Sequence, residues 1–282
     1  MTFKAKLKAA SEKNQTLLCI GLDPDPSLMP VHRIQEFNRA IVDATYDLVC
    51  AFKPNLAFYE AAGTIGIDAL ANTVSYIHDI SPDVIVLGDA KRGDIGSTSS
   101  HYAKALFKTW NFDAATVNGY AGQDSVQPFL DYTDKGIFVW CRSSNPDAAE
   151  FQDLRVMPVG DEDKTPQITL HQRIAHRAKN WDIHENIGLV VGATYPEELA
   201  AVREECPNMP ILAPAVGAQS GDLASTVKAG VDSAGRNLII SSSRSIIYAS
   251  RKKNDYDSAA RAAAENLKND INKILQENGT PW

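Results

Sequence analysis

The sequence contains few of the features that mark exported, membrane-spanning or metal-binding proteins. No apolar run approaches the roughly 20 residues that a membrane span needs, and the segment from Met1 to Gln15 contains no apolar stretch typical of a signal peptide. The four cysteines lie far apart without Cys-x-x-Cys spacing, and no His-Glu-x-x-His motif occurs. We therefore expect a cytoplasmic protein with buried thiols and no metal site.

Basic segments are also lacking. The net charge is −7, and the lysines and arginines form no run or stripe. Such a charge distribution argues against nucleic acid or an anionic membrane as a partner. An anionic small molecule remains a possible ligand if positive side chains converge in the fold.

The usual nucleotide-binding glycine loops are absent, but a repeating pattern of strands and helices is present. Neither Gly-x-Gly-x-x-Gly after an early strand nor Gly-x-x-x-x-Gly-Lys-Ser/Thr occurs. Eight apolar, β-branched runs lie at 17–23, 48–54, 84–89, 114–118, 137–141, 187–192, 211–216 and 238–243. Segments of helical period lie at 33–49, 59–79, 96–109, 122–133, 168–181, 195–205, 220–229 and 257–277. Continuous apolar strands alternating with helices predict a parallel sheet covered on its outer face.

Eight such units predict one (β/α)₈ TIM barrel spanning residues 1–282, in preference to a doubly wound open sheet. An amphipathic helix with Phe3 and Leu7 on one face precedes the first strand, and the last helix is expected to be capped by Asp257 or Ser258 and to end at Gly279. The one long insertion, 143–170, is expected to be a loop whose acidic Asp-Glu-Asp run is solvated.

Polar side chains follow most of the predicted strands. Because the active site of a TIM barrel lies at the carboxyl ends of its strands, these residues are candidates for a common site. They are Asp23, Lys53, Asn55, Asp89, Lys91, Asn118, Arg142, Ser143, Ser144 and Arg244. Taken singly, each is more often a helix cap, a rim ion pair or a surface residue, so their convergence carries the hypothesis.

The run from Asp89 to Asp94 contains the densest set of charges. Residues two apart on a strand point to the same side, so Asp89 and Lys91 should both face the barrel mouth, with Lys53 beside Asp89 on the neighbouring strand. Asp94 would come from the following turn. Adjacent carboxylates favour the charged form of Lys91. A structural ion-pair network is the alternative, but pairing often only just offsets the cost of burying charges, which favours a function.

A phosphate site is predicted after strands seven and eight. The segment Ala215 to Asp222 offers Gly217 and the amide of Gln219 ahead of a helix, and Arg244 follows the last strand. TIM barrels often bind phosphate at this position through backbone N–H groups and a helix N-terminus.

Several motifs together resemble the orotidine 5′-monophosphate decarboxylase family, in its longer bacterial-type (type 2) subgroup. They are Asp89-x-Lys91-x-x-Asp94-Ile95 with Thr98, "FKPNLAFYE" (52–60), "VNGYAGQDSVQPFL" (117–130), "SSNP" (143–146) and "PAVGAQSGD" (214–222). The resemblance runs in order from Leu17 to about Ser245. Two departures are Asn118-Gly119, where the subgroup usually has Asn-Pro, and Ser143, where it usually has Thr.

The resemblance implies decarboxylation of orotidine 5′-monophosphate to uridine 5′-monophosphate without a cofactor. It implies that Lys53, Asp89, Lys91 and Asp94 are catalytic, with Lys91 the proton donor. It also implies a homodimer in which Asp94 and Thr98 reach the neighbouring subunit's site. The substrate-binding residues that it implies are Asp23, Asn55, Ile95, Thr98, Asn118, Ser144, Pro214, Gly217, Gln219 and Arg244.

Two other functions remain open on the residues alone. Asp-x-Lys-x-x-Asp also occurs in Mg²⁺-dependent sugar-phosphate barrels such as hexulose-phosphate synthase, so a lyase or synthase is one alternative. The other is a protein that binds a phosphorylated metabolite without catalysis. Decarboxylation explains the charges best, because an electron pair left in the plane of the pyrimidine ring has no π system to enter and needs electrostatic stabilisation.

Overall fold

The centre of the molecule is a closed parallel β-barrel. The structure is a computed structural model and describes residues 1–157, 167–214 and 222–282. Its strands are β1 (Leu18–Leu22), β2 (Ala51–Pro54), β3 (Ile85–Arg92), β4 (Ala114–Val117), β5 (Gly136–Arg142), β6 (Arg155–Val156), β7 (Ile168–Thr169), β8 (Ile187–Val191), β9 (Ile211–Pro214) and β10 (Leu238–Ser242). All except β6 and β7 form the barrel, in the order β1-β10-β9-β8-β5-β4-β3-β2.

Pairing between the first and last strands closes the barrel. Leu18 of β1 lies opposite Ile240 of β10, and Cys19 of β1 lies opposite Ala51 of β2. Every strand pair in the barrel is parallel. The carboxyl ends of all eight strands therefore meet at one mouth, and the predicted TIM barrel is confirmed.

Helices surround the barrel and connect its strands. They are α1 (Phe3–Asn14), α2 (Ile34–Thr45), α3 (Leu56–Ala61), α4 (Gly63–Ile80), α5 (Gly96–Lys104), α6 (Gln123–Leu130), α7 (Ala149–Gln152), α8 (Leu170–Trp181), α9 (Pro196–Glu205), α10 (Leu223–Gly230), α11 (Arg244–Ile247) and α12 (Tyr256–Glu277). A π-helical turn, Ala105–Thr109, extends α5. The helix predicted at 59–79 is two helices, α3 and α4, separated at Ala62.

The last helix begins slightly earlier than the sequence pattern predicts. Its N-cap position is Asp255, so the predicted cap at Asp257 or Ser258 was wrong by a few residues. The helix ends two residues before Gly279, whose φ of +75° is a left-handed conformation that glycine adopts easily.

The amino end of the barrel is filled by apolar side chains of α1. Phe3 and Leu7 are buried, as the amphipathic pattern predicts. The ring of Phe3 packs edge-to-face on Phe138, with centroids 5.8 Å apart. Gly136 leaves room for this ring, since a Cβ there would lie 2.5 Å from Phe3. The inside of the barrel is therefore packed at this end, which leaves the carboxyl end for a site.

The insertion at 143–170 contains regular structure at both ends. A 3₁₀ turn, Pro146–Ala148, leads into α7, and β6 pairs antiparallel with β7. The predicted loop is therefore partly helix and hairpin. The Asp-Glu-Asp run at 161–163 lies outside the described residues.

Neither a membrane span nor a disulfide occurs in the described part of the chain. None of the helices at 1–157, 167–214 and 222–282 is long and apolar enough to cross a bilayer. Cys19, Cys50, Cys141 and Cys206 are free and buried. Burial raises the pKa of all four thiols, so they are poor nucleophiles at neutral pH.

Candidate active site

Neighbouring strands bring three charged side chains together at the barrel mouth. Lys53 near the end of β2 donates from Nζ to Oδ2 of Asp89 at 3.1 Å. Lys91, two residues further along β3, donates from Nζ to Oδ1 of Asp89 at 2.6 Å. Each carboxylate oxygen therefore faces one ammonium. Positive and negative charges alternate in the order Lys53, Asp89, Lys91, as the strand pattern predicts.

The lysines determine the ionisation of Asp89. Burial opposes its charged form, but Lys53 and Lys91 outweigh burial and hold the pKa of Asp89 well below its usual range. Burial likewise opposes the charged form of Lys53, but Asp89 and then Asp23 raise its pKa above the ordinary lysine value. Both groups are charged at neutral pH, and the ammonium of Lys91 lies at the cavity side of this array.

Lys91 has an unusual backbone conformation. Its φ is +48°, in the left-handed region that costs a non-glycine residue roughly 1–2 kcal/mol. The register between β3 and β4 shifts between Gly88 and Arg92 at the same place. Simple alternation along a strand therefore does not explain why Lys91 faces the mouth. A bulge turns it there.

Thr116 of β4 lies beneath this bulge. Its hydroxyl accepts hydrogen bonds from the backbone N–H of Ala90 at 3.0 Å and of Lys91 at 2.9 Å. The same hydroxyl donates to Oδ1 of Asp89 at 2.9 Å. Thr116 was not among the predicted site residues. The available signal was its position two residues before Asn118, within the strand predicted at 114–118.

A cavity of about 160 Å³ opens beside these charges. Polar and charged side chains line one part of it, and Trp140, Val190 and Leu212 line another. Nζ of Lys91 lies 5.7 Å from the centroid of the Trp140 ring, a cation–π arrangement. Trp140 was also missed, because an aromatic residue inside an apolar strand run has the same pattern as a core residue.

Asp23 lies at the mouth on the β1 and β10 side. Its Oδ2 accepts from the hydroxyl of Ser243 at 2.7 Å. Gly21 permits this approach, because a Cβ there would lie 2.8 Å from Cβ of Ser243. The other oxygen, Oδ1, is buried and has no hydrogen-bond partner among the described residues. Asp23 therefore has one oxygen available for a ligand hydroxyl group.

Asn55 and Asn118 use their side-chain oxygens to hold the turns after their strands. Oδ1 of Asn55 accepts from the backbone N–H of Ala57 and caps α3. Oδ1 of Asn118 accepts from the backbone N–H of Tyr120 at 3.0 Å. In both residues the oxygen has a structural role, which leaves the amide NH₂ group for a ligand.

Ser144 and Arg142 both line the cavity, and Arg142 also supports the insertion. Ser144 packs closely on Gly192, where a Cβ would lie 2.8 Å from its backbone. Arg142 is 1% exposed; its guanidinium donates to Gln152 at 3.1 Å and to Asp153 at 3.3 Å. Its charge therefore anchors α7 beside the cavity, a role that its position at a strand end did not reveal.

Asp94 uses its carboxylate within the turn that follows β3. Its Oδ1 accepts from the backbone N–H of Ile95 at 2.6 Å, and no ion pair joins it to Lys91 in the described structure. Ile95 is 68% exposed, and Thr98 lies on the first turn of α5. The expected ion pair between Asp94 and Lys91 is therefore not found within the described part of this chain.

The predicted phosphate site is described in part. Pro214 ends β9 and lines the cavity, and Arg244 begins the short helix α11 with an exposed side chain. Gly217 and Gln219 lie outside the described residues.

Comparisons with known sequences identify relatives of this chain. Residues 16–259 match the sequence profile described as the "Orotidine 5'-phosphate decarboxylase / HUMPS family". Orotidine 5'-phosphate decarboxylase from Thermomicrobium roseum is 48% identical over 98% of this chain and 97% of that protein. The one from Cupriavidus necator is 46% identical over 97% of this chain and 98% of that protein.

Solved structures named as decarboxylases also match nearly the whole chain. OMP decarboxylase from Leishmania donovani superposes with a TM-score of 0.82 at 35% identity, covering 97% of this chain and 98% of that one. A putative orotidine-monophosphate-decarboxylase from Toxoplasma gondii gives 0.85 at 35% identity, covering 98% of both chains. The chain therefore belongs to the orotidine 5′-phosphate decarboxylase family.

Proposed function

We propose that this enzyme decarboxylates orotidine 5′-monophosphate to uridine 5′-monophosphate in pyrimidine biosynthesis. The observation that carries the proposal is the Lys53–Asp89–Lys91 array beside a cavity at the barrel mouth. The full-length similarity to decarboxylases supports the substrate assignment. It also favours this function over the sugar-phosphate synthase alternative.

Lys91 performs the central chemical step. The bond between C6 of the pyrimidine and the carboxyl carbon breaks, its electron pair stays on C6, and CO₂ leaves. The ammonium of Lys91 stabilises this developing negative charge and then transfers a proton from Nζ to C6. The electron pair needs no other acceptor, so the reaction as proposed uses no cofactor.

Asp89 and Lys53 keep this ammonium in place before substrate arrives. Asp89 accepts from both lysines and stays ionised because they hold its pKa low. A charge fixed in advance needs little reorganisation during the reaction, which is the main source of electrostatic catalysis.

The remaining site residues bind the substrate. Asp23, with its free buried oxygen, and Lys53 and Asn55 bind the ribose. Asn118 and Ser144 contact the pyrimidine, and Ser144 lines the cavity. Pro214, Gly217, Gln219 and Arg244 form the phosphate site, where contacts far from C6 supply binding energy for the chemical step.

The active enzyme is a homodimer with shared sites. Asp94, Ile95 and Thr98 contribute to the partner's site, which fits the lack of an Asp94–Lys91 ion pair in the described structure and the exposure of Ile95. Mixing Lys91→Ala and Asp94→Ala subunits tests the sharing. Each hybrid dimer should regain one intact site, giving about a quarter of wild-type activity in an equal mixture. Hybrids verified by mass that stay inactive would contradict shared sites.

The chain is proposed to form one barrel domain and to work in the cytoplasm. The eight barrel strands span the chain from Leu18 to Ser242, and the free cysteines fit a reducing compartment.

One assay separates the proposed function from its alternatives. Purified protein is mixed with orotidine 5′-monophosphate, with and without EDTA, and the absorbance of the substrate is followed. A decrease that EDTA leaves unchanged is expected. A stable absorbance combined with uridine 5′-monophosphate binding would indicate a binding protein. A stable absorbance combined with EDTA-sensitive turnover of a sugar phosphate would indicate the Mg²⁺-dependent alternative.

A further inference from the structure

We propose that Thr116 is the positioning residue that aims the ammonium of Lys91 at the reacting carbon. This inference rests on the proposed decarboxylation. Thr116 is 1% exposed and lies on β4, opposite the bulge of β3 that carries Lys91. Its hydroxyl is not available to bind a ligand, because both lone pairs and the one hydrogen are used in hydrogen bonds within the protein.

The first contribution of the hydroxyl is to the backbone. Two consecutive N–H groups, of Ala90 and Lys91, converge on its two lone pairs at 3.0 and 2.9 Å. Consecutive N–H groups of a regular strand point in opposite directions, so this convergence bends the chain at Ala90 and fixes the peptide plane between Ala90 and Lys91. The left-handed φ of Lys91 then directs its side chain from that fixed plane. Without the acceptor, the plane can rotate and the side chain of Lys91 loses its fixed direction.

The second contribution is to the carboxylate of Asp89. The hydroxyl donates its one hydrogen to Oδ1 of Asp89 at 2.9 Å. The same oxygen pairs with Nζ of Lys91. Oδ2 is left for Lys53. The hydroxyl therefore fixes the rotation of the carboxylate so that each oxygen faces one lysine, and it couples that rotation to the backbone of Lys91.

Both contributions converge on the position of the Lys91 ammonium, and the hydroxyl itself makes no hydrogen bond to substrate. We therefore expect loss of the hydroxyl to lower kcat while KM and product affinity change little. Thr116→Val keeps the shape of the side chain and removes the hydroxyl, whereas Thr116→Ser keeps the hydroxyl.

The test compares these two variants with the wild type and with Thr45→Val. Thr45 is a matched control, because it is also buried but its hydroxyl bonds Ile41 in α2, far from the mouth. We expect kcat of Thr116→Val to fall roughly 10- to 100-fold, the usual effect of losing a hydrogen bond to a charged group. Thr116→Ser should recover at least half of the wild-type kcat, and Thr45→Val should keep it.

Two readouts separate positioning from general damage. Uridine 5′-monophosphate affinity, measured by calorimetry, should stay within about threefold in Thr116→Val. The melting temperature of this variant should fall further than that of Thr45→Val, because two backbone N–H groups lose their acceptor, so kcat is compared at a temperature at which both variants are folded. A wild-type kcat in Thr116→Val, or equal losses in Thr116→Ser and Thr116→Val, would overturn the inference. An inactive wild type would instead contradict the proposed function, so the two failures are distinguishable.

Discussion

Asp89 and Asp182 lie at opposite ends of the barrel and have equally exposed side chains, 10% each. The pKa of Asp182, at the amino end, is raised by burial, against weaker effects of the Ile187 N–H and of Lys4 at 4.0 Å. The pKa of Asp89 is lowered despite burial, because two lysines lie at 2.6 and 3.1 Å. Close charge partners, and not exposure, therefore distinguish the two aspartates.

A related contrast concerns the packing at the two ends and the ion pair of Lys4. At the amino end, Phe3 fills the barrel and the ion pair of Lys4 is long and partly exposed. At the carboxyl end, charges are close together around an open cavity. We infer that the first arrangement stabilises the fold and the second serves the reaction. The following predictions test this division.

The largest effect is expected from removing one lysine at each end. Lys91→Ala should lower kcat by at least about 10⁴-fold, since it removes both the charge and the proton donor. Lys4→Ala, the matched change at the amino end, should leave kcat within about twofold, because exposed pairs contribute little. Steady-state kinetics with orotidine 5′-monophosphate measures both. Substantial activity in Lys91→Ala, while it still binds uridine 5′-monophosphate, would refute the proposed role of Lys91.

An intermediate effect is expected at the packed amino end. Phe3→Ala removes a fully buried ring from its contact with Phe138. The free energy of unfolding should fall by about 3–5 kcal/mol, the usual cost of such a truncation. Denaturant melts give this value, and kcat at a temperature where the variant is folded should be unchanged. A fall in kcat without a fall in stability would mean that the two ends are coupled.

The smallest effect is expected in how the free energy of unfolding depends on pH when each of the two aspartates is replaced. The folded-state pKa of Asp89 lies below its unfolded value of about 3.9, so its stabilising contribution is present above that value and is lost as pH falls. The stability of the wild type relative to Asp89→Asn should therefore decrease by about 1 kcal/mol between pH 5 and pH 3.

Asp182→Asn should show the opposite sign. Because the folded-state pKa of Asp182 is raised, its native form binds protons more readily than its unfolded form. The stability of the wild type relative to this variant should therefore increase as pH falls. Urea denaturation at a series of pH values gives both slopes. If the free energy of unfolding had the same pH dependence in both variants, the lysines would not account for a difference in pKa between the two aspartates.

Local patterns in the sequence were sufficient for the architecture and the central charges. Eight apolar runs alternating with helical segments predicted the barrel, and the Phe3 and Leu7 spacing predicted the face of α1 that is buried. The pairing of Lys53 with Asp89 followed from their places at the ends of neighbouring strands. These predictions succeeded because strand and helix periodicity is a property of the local chain.

Contacts between distant segments were not accessible in the same way. The sequence pattern did not indicate that Thr116 binds the backbone of Lys91, nor that Ser243 donates to one oxygen of Asp23. In each case the residue type suits either a ligand or a structural partner. The choice depends on which backbone groups lie nearby in the fold.

Periodicity and motifs were enough to predict the TIM barrel, the decarboxylase family and the place of Lys91 beside Asp89. They could not predict the direction of the Lys91 side chain, which depends on contacts between strands. Strand alternation predicted the correct side of the sheet, but the observed orientation depends on a left-handed residue, a bulge and the hydroxyl of Thr116. The physical reason is that a hydrogen bond between β3 and β4 offsets the local cost of that backbone conformation, and this bond exists only when the two strands pair.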